Sequence, residues 1–257
     1  MKPLPASIGI AVALAALLAA MPSLSADCRV SSGPRTAALV ELYTSEGCSS
    51  CPPADRWISA FAAAPRKDVV PVAFHVDYWD SLGWKDRFAD PRFTARQAAG
   101  MRAAGARFVY TPQVIVGGRD LPSWRSPGSF SLAVARIHAR PARASIEIVS
   151  RIAGDGSVTA DVATMLDRGV DAAHLELVVA LTQDGLASRV TAGENRGERL
   201  AHDFVVRDLA TSQPGGVAHA SFERPAQADV SRLRVTAFVQ DRATGEVLQA
   251  LAAPLCR

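Results

Sequence analysis

Two cysteines, Cys48 and Cys51, stand between an apolar run and a pair of prolines, and this arrangement constrains the fold more than any other feature of the chain. The run from Thr36 to Tyr43 is too apolar for a surface loop and reads as a buried strand. Pro52 and Pro53 then open a segment ending at Ala64, with Trp57, Ile58 and Phe61 on one side of a helix. Proline suits a first helical turn, where backbone N–H groups have no helical partner to lose. The cysteines therefore fall at a helix amino terminus. Two thiols so spaced can close a small disulfide, and the free N–H groups and helix dipole favour the thiolate when it opens. Such a thiolate attacks disulfides, and the second thiol resolves the mixed disulfide. An inert local disulfide and a Cu(I) or Zn(II) site are the other readings of the same residues.

The surrounding pattern alternates. Val69–Val76 is β-rich, Phe93–Gly105 is helical, Gln113–Val116 is a short strand before the Gly117-Gly118 turn, and Ser129–Arg140 is a helix capped by Ser129 or Ser131. Strands separated by helices of this length predict an α/β unit. After Pro141 the helical signals stop. Ser145–Ile148 and Val158–Val162 flank a Gly154-Asp155-Gly156 turn, and further short strands are predicted near 175–181, 204–206, 218–222, 233–239 and 247–251. This pattern predicts a mainly antiparallel β-sandwich. The expected organisation is a signal segment at 1–26, an α/β domain at 27–141 and a β-domain at 142–257.

Lys2 precedes an uncharged apolar stretch from Ile8 to Ala20, and Ser23–Ala26 offers small residues for a peptidase. That stretch fits an export signal and is short for a membrane span. No later stretch approaches spanning length. A periplasmic or secreted location follows, so cysteine pairs are read as disulfides or redox centres. The formal charge is only +3, and of 28 basic residues only Lys2, Lys67 and Lys85 are lysines. The arginines form no stripe or block, so no nucleic-acid partner is expected.

The segment Val40–Tyr43, leading through Ser45-Glu46-Gly47 to Cys48 and Cys51, resembles the active-site segment of the thioredoxin superfamily. Thr111-Pro112 before a β-run resembles the cis-proline loop of that fold, which lies across from the CxxC and exposes backbone for substrate pairing. Val40 to Asp55, His75–Asp80, Gly83–Asp86 and Tyr110–Gln113 together resemble a secreted family catalogued as domain of unknown function 1223. The resemblance implies a thioredoxin-like domain at 27–141, with Thr111 and Pro112 shaping a groove. There are departures: Gly47 stands where thioredoxin-like enzymes often carry Trp. Glu41 occupies a place similar to the buried acid of thioredoxins and is a candidate proton acceptor for Cys51. A carboxylate facing solvent is the alternative.

Cys28 and Cys256 are the remaining pair, expected to form a bridge, with free or intermolecular thiols as the alternative. His75, His138, His174, His202 and His219 show no ligand spacing. His75 is the one candidate to join Cys48 and Cys51 in a copper site. The aromatic segment Asp77–Phe88 is either core or a lip beside the CxxC. Gly193–Gly197 reads as a loop without chemistry. The leading expectation is an exported thiol–disulfide oxidoreductase, with Cys48 attacking and Cys51 resolving. It needs no organic cofactor and acts on protein thiols or disulfides. A metal carrier and a noncatalytic binding protein are the rivals.

Overall fold

The computed structural model describes residues 28–256. The expected export signal lies outside the described residues. The strands are β1 (Cys28–Ser31), β2 (Ala38–Thr44), β3 (Val69–His75), β4 (Gln113–Val116), β5 (Arg119–Asp120), β6 (Ala144–Ile152) and β7 (Val158–Leu166). They continue with β8 (Leu175–Gln183), β9 (Leu186–Arg189), β10 (Arg199–His202), β11 (Val205–Ser212), β12 (Val217–Phe222), β13 (Leu233–Asp241) and β14 (Val247–Pro254). The α-helices are α1 (Pro52–Ala63), α2 (Pro91–Ala103) and α3 (Pro127–His138). The architecture is mostly β, with few helices and both mixed and antiparallel sheets.

One eight-stranded sheet has the order β14-β13-β8-β11-β3-β2-β4-β5. It draws β2 to β5 from before residue 141 and the other four strands from after it. The two sets meet where β11 runs parallel to β3, with Ala73 donating its N–H to the Phe204 carbonyl at 2.8 Å. A four-stranded antiparallel sheet, β1-β6-β7-β12, covers one end of the large sheet. A two-stranded hairpin, β9-β10, stands apart from both.

β2 is buried on both faces, which is why it reads as an unbroken apolar run. Val40 and Leu42 pack with Ala54 and Ile58 of α1 and with Phe130 and Val134 of α3. Leu39 and Tyr43 point the other way, against Phe93 and Met101 of α2. Alternation repeats in β8: Leu177, Val179 and Leu181 pack with Ile146, Ile148 and Val162 of the smaller sheet, while Val178 and Ala180 join the α2 side. α1 supplies the crossover that the parallel pair β2–β3 requires. Gly118 has a φ of 83° and lies against the Gly245 carbonyl, where a Cβ would collide.

Two helix starts differ from expectation. α2 begins at Pro91, with the Asp90 carboxylate accepting from the Arg92 amide. α3 begins at Pro127 and is capped by Ser126, not Ser129 or Ser131. In both cases the proline occupies the first helical position, two residues before the start expected at Phe93 or Ser129.

Candidate redox site

The turn between β2 and α1 presents the cysteines. The Cys48 amide donates to the Ser45 carbonyl, and the Cys51 amide to the Cys48 carbonyl, both at 3.2 Å. Cys51 caps α1 through its own carbonyl, which accepts from Ala54 and Asp55. Cys48 and Cys51 form a disulfide with their Cα atoms 5.4 Å apart, and both are completely buried. Ser49 and Ser50 between them are exposed. Ser50 Oγ lies 3.3 Å from Cys48 Sγ and 3.5 Å from the Thr111 carbonyl. The Thr111–Pro112 peptide is cis, and the pairing of Gln113 with Tyr43 holds that loop beside the turn. Trp79 Nε1 fixes the Thr111 hydroxyl at 2.7 Å, so part of the aromatic 77–88 segment does border the cysteines.

Beneath the turn lies a cluster of buried ionisable groups: Glu46, Asp55, His75, Asp86 and His202. His75 Nδ1 approaches Asp86 Oδ2 at 2.6 Å, and His202 Nε2 approaches Glu46 Oε1 at 3.2 Å. The two imidazoles meet edge to face at 4.9 Å. Burial pushes the Asp86 carboxyl up, but the His75 charge and hydrogen bond, helped by the Glu46 and Phe88 amides, outweigh it and hold the group at about 2. The same contact raises His75, although burial alone would lower it. Glu46 is likewise lowered despite its burial, chiefly by the His202 hydrogen bond. Asp55 goes the other way, raised by desolvation that His202, His75 and the Thr44 hydroxyl only partly offset.

A loop from far along the chain is bonded to the backbone of this turn. Asn195 Nδ2 donates to the carbonyls of Glu46 at 2.8 Å and Cys48 at 3.0 Å. The Ser49 amide donates to Glu194 Oε2 at 3.0 Å. Both residues ride on the loop joining β9 to β10, the segment in which no chemistry is legible from sequence. His202, on β10, carries no such signal either. Neither shows spacing to the cysteines, because they lie about 150 residues downstream. The only local signal is the pair of glycines, Gly193 and Gly197, at φ values of 70° and 93°.

Glu41 does not reach the cysteines. It shares the face of Leu39 and Tyr43, against α2, whereas α1 packs on the opposite face of β2. There it is buried in an ion pair with Arg96, which also bonds Gln240. One step of strand alternation accounts for this placement. His75 directs Nδ1 to Asp86 rather than to a sulfur. Among the described residues, no group of three or more His, Cys, Asp or Glu side chains is placed to hold a metal ion. Cys28 and Cys256 form the second disulfide, with Cα atoms 5.2 Å apart. It fastens β1, an edge strand paired with β6, to the segment following β14. Among the described residues, no helix is long and apolar enough to cross a membrane.

Solved structures are similar to this chain. Protein AGR_C_4864 from Agrobacterium tumefaciens matches at a TM-score of 0.61 and 27% identity, over 87% of this chain and 96% of that one. HBP35 of Porphyromonas gingivalis shares the fold at a TM-score of 0.60 and 16% identity, over 87% of this chain and 76% of its own. No curated protein matches the sequence. The model of the family described as "Protein of unknown function (DUF1223)" matches residues 39–240, so the chain belongs to that family.

Proposed function

We propose that the protein is an exported thiol–disulfide oxidoreductase that works through Cys48 and Cys51. The observation that carries this reading is the disulfide at the amino end of α1, bordered by the Thr111–Pro112 loop. In this reading residues 27–141 are a thioredoxin-like unit, and the following β-sandwich supports it. Protein thiols or disulfides are the substrates. In the reduced protein, the Cys48 thiolate attacks a substrate disulfide and one substrate sulfur leaves as thiolate. Cys51, losing its proton, then attacks Cys48, closing the internal disulfide and releasing the second substrate thiol. The substrate gains the two electrons that the dithiol loses. Free N–H groups at the start of α1 favour the thiolate form of Cys48. The dithiol is the redox group, so no organic cofactor enters. A periplasmic or secreted location rests on the Lys2 and Ile8–Ala20 pattern.

A second reading, an inert structural disulfide, is favoured by one observation: neither sulfur is accessible. Redox titration with thiol trapping separates the two. An exchange-active pair equilibrates with protein dithiols, and Cys51→Ser accumulates mixed disulfides at Cys48. A pair that stays oxidised throughout, with no trapped complex, removes the proposal.

A further inference from the structure

Resting on the reading of Cys48–Cys51 as an exchange-active pair, we propose that Glu194 and Asn195 are specificity-determining residues. The loop carrying them occupies the backbone groups that an extended peptide substrate would use. Asn195 engages two carbonyls, those of Glu46 and Cys48, and Glu194 engages one amide, that of Ser49. Alternating N–H and C=O groups are what an extended peptide offers to a partner backbone. The loop thus stands in for a substrate segment, held in place by the chain itself.

The carrier of this loop is suited to the task. Its hairpin, β9–β10, is hydrogen-bonded into neither larger sheet. The loop is closed at its base by Val190 and Glu198, and the Gly197 amide returns to Val190. Gly193 packs against Trp84, which itself donates to Glu46. Both sulfurs are buried, and in this proposal an incoming thiol reaches Cys48 once the loop bonded to the Glu46, Cys48 and Ser49 backbone is displaced. A peptide compensates for the lost Asn195 and Glu194 contacts with its own backbone. A small thiol cannot. In the exchange step, an incoming thiolate attacks Cys48 Sγ, the Cys48–Cys51 bond breaks, and Cys51 leaves as thiolate and takes up a proton.

The test uses the oxidised full chain and two monothiols, 2-mercaptoethanol and an unstructured cysteine-containing peptide, following Cys51 release by rapid thiol trapping. Wild-type protein reacts faster with the peptide. Glu194→Ala raises the 2-mercaptoethanol rate by roughly fivefold, the scale of one lost hydrogen bond; Asn195→Ala, which loses two, raises it further, and both lower the peptide preference. Unchanged rates and an unchanged preference in both variants would overturn the proposal. Glu194 is exposed, so Glu194→Ala remains decisive if Asn195→Ala fails to fold. An accessible pair that still exchanges with proteins would remove the loop's role and keep the function. A loop-gated pair that never exchanges with proteins would remove the function.

Discussion

His75 and Asp86 meet at 2.6 Å with no exposure of either side chain, directly below the turn that holds the cysteines. Asp86, depressed to about 2, adds stability above its unfolded value that is lost as pH falls through about 2. His75, raised, adds stability that is full below its unfolded value and lost as pH rises through its higher folded value. Asp86→Asn is expected to destabilise by about 3–5 kcal/mol near pH 5, the scale of breaking a buried pair. Urea unfolding across pH reads this. A difference that fails to shrink toward pH 2, or as pH rises through the raised His75 value, would assign the loss to packing instead.

Asp55 behaves oppositely. Its folded value is raised by burial, so stability linked to it is full below the unfolded value and lost as pH rises through the folded one. Asp55→Asn keeps an acceptor for the Thr44 hydroxyl while removing the buried charge. The variant should melt higher than wild type at neutral pH, by about 1.4 kcal/mol for each unit of elevation, and equally near pH 3. A lower melting temperature at neutral pH refutes the argument.

Glu41 and Arg96 form a buried pair on the far face of β2. Arg96→Ala should destabilise by about 3–5 kcal/mol, because it strands a buried carboxylate. Glu41→Gln should leave the relative alkylation rates of reduced Cys48 and Cys51 unchanged. A marked slowing of Cys51 in that variant would restore Glu41 as its proton acceptor.

The Cys28–Cys256 bridge closes a separation of 228 residues. Chain-entropy reasoning gives at most about 5 kcal/mol for so long a loop. Cys28→Ser with Cys256→Ser should lower stability by up to that amount without altering exchange at Cys48. Peptide mapping of unreduced wild-type protein should return this pair separately from Cys48–Cys51. A scrambled map contradicts the fold at β1.

What the sequence makes legible is local. Pro52-Pro53 after Cys51 marks α1 correctly because capping and proline preferences act within one turn. The apolar run of β2 and the Gly117-Gly118 turn are legible for the same reason. The failures are matters of partner and side. Strand alternation places Glu41 opposite the cysteines, and reading its side requires knowing which helix covers which face. Asn195 and His202 carry ordinary loop and strand signals, and they gain meaning only when the β9–β10 hairpin folds back onto a turn far earlier in the chain. The division expected at residue 141 tracks the end of the helices, while strand pairing between Ala73 and Val205 ignores it.

That shared sheet has a consequence for synthesis. Gln249 on β14 accepts from the Ala37 amide and donates to the carbonyls of Gly33 and Arg35, just ahead of β2. The first-made strands therefore stay incomplete until the last one arrives, and during elongation the edge of β3 awaits β11 some 130 residues later. Unfinished strand edges of this kind invite chaperone binding and mispairing.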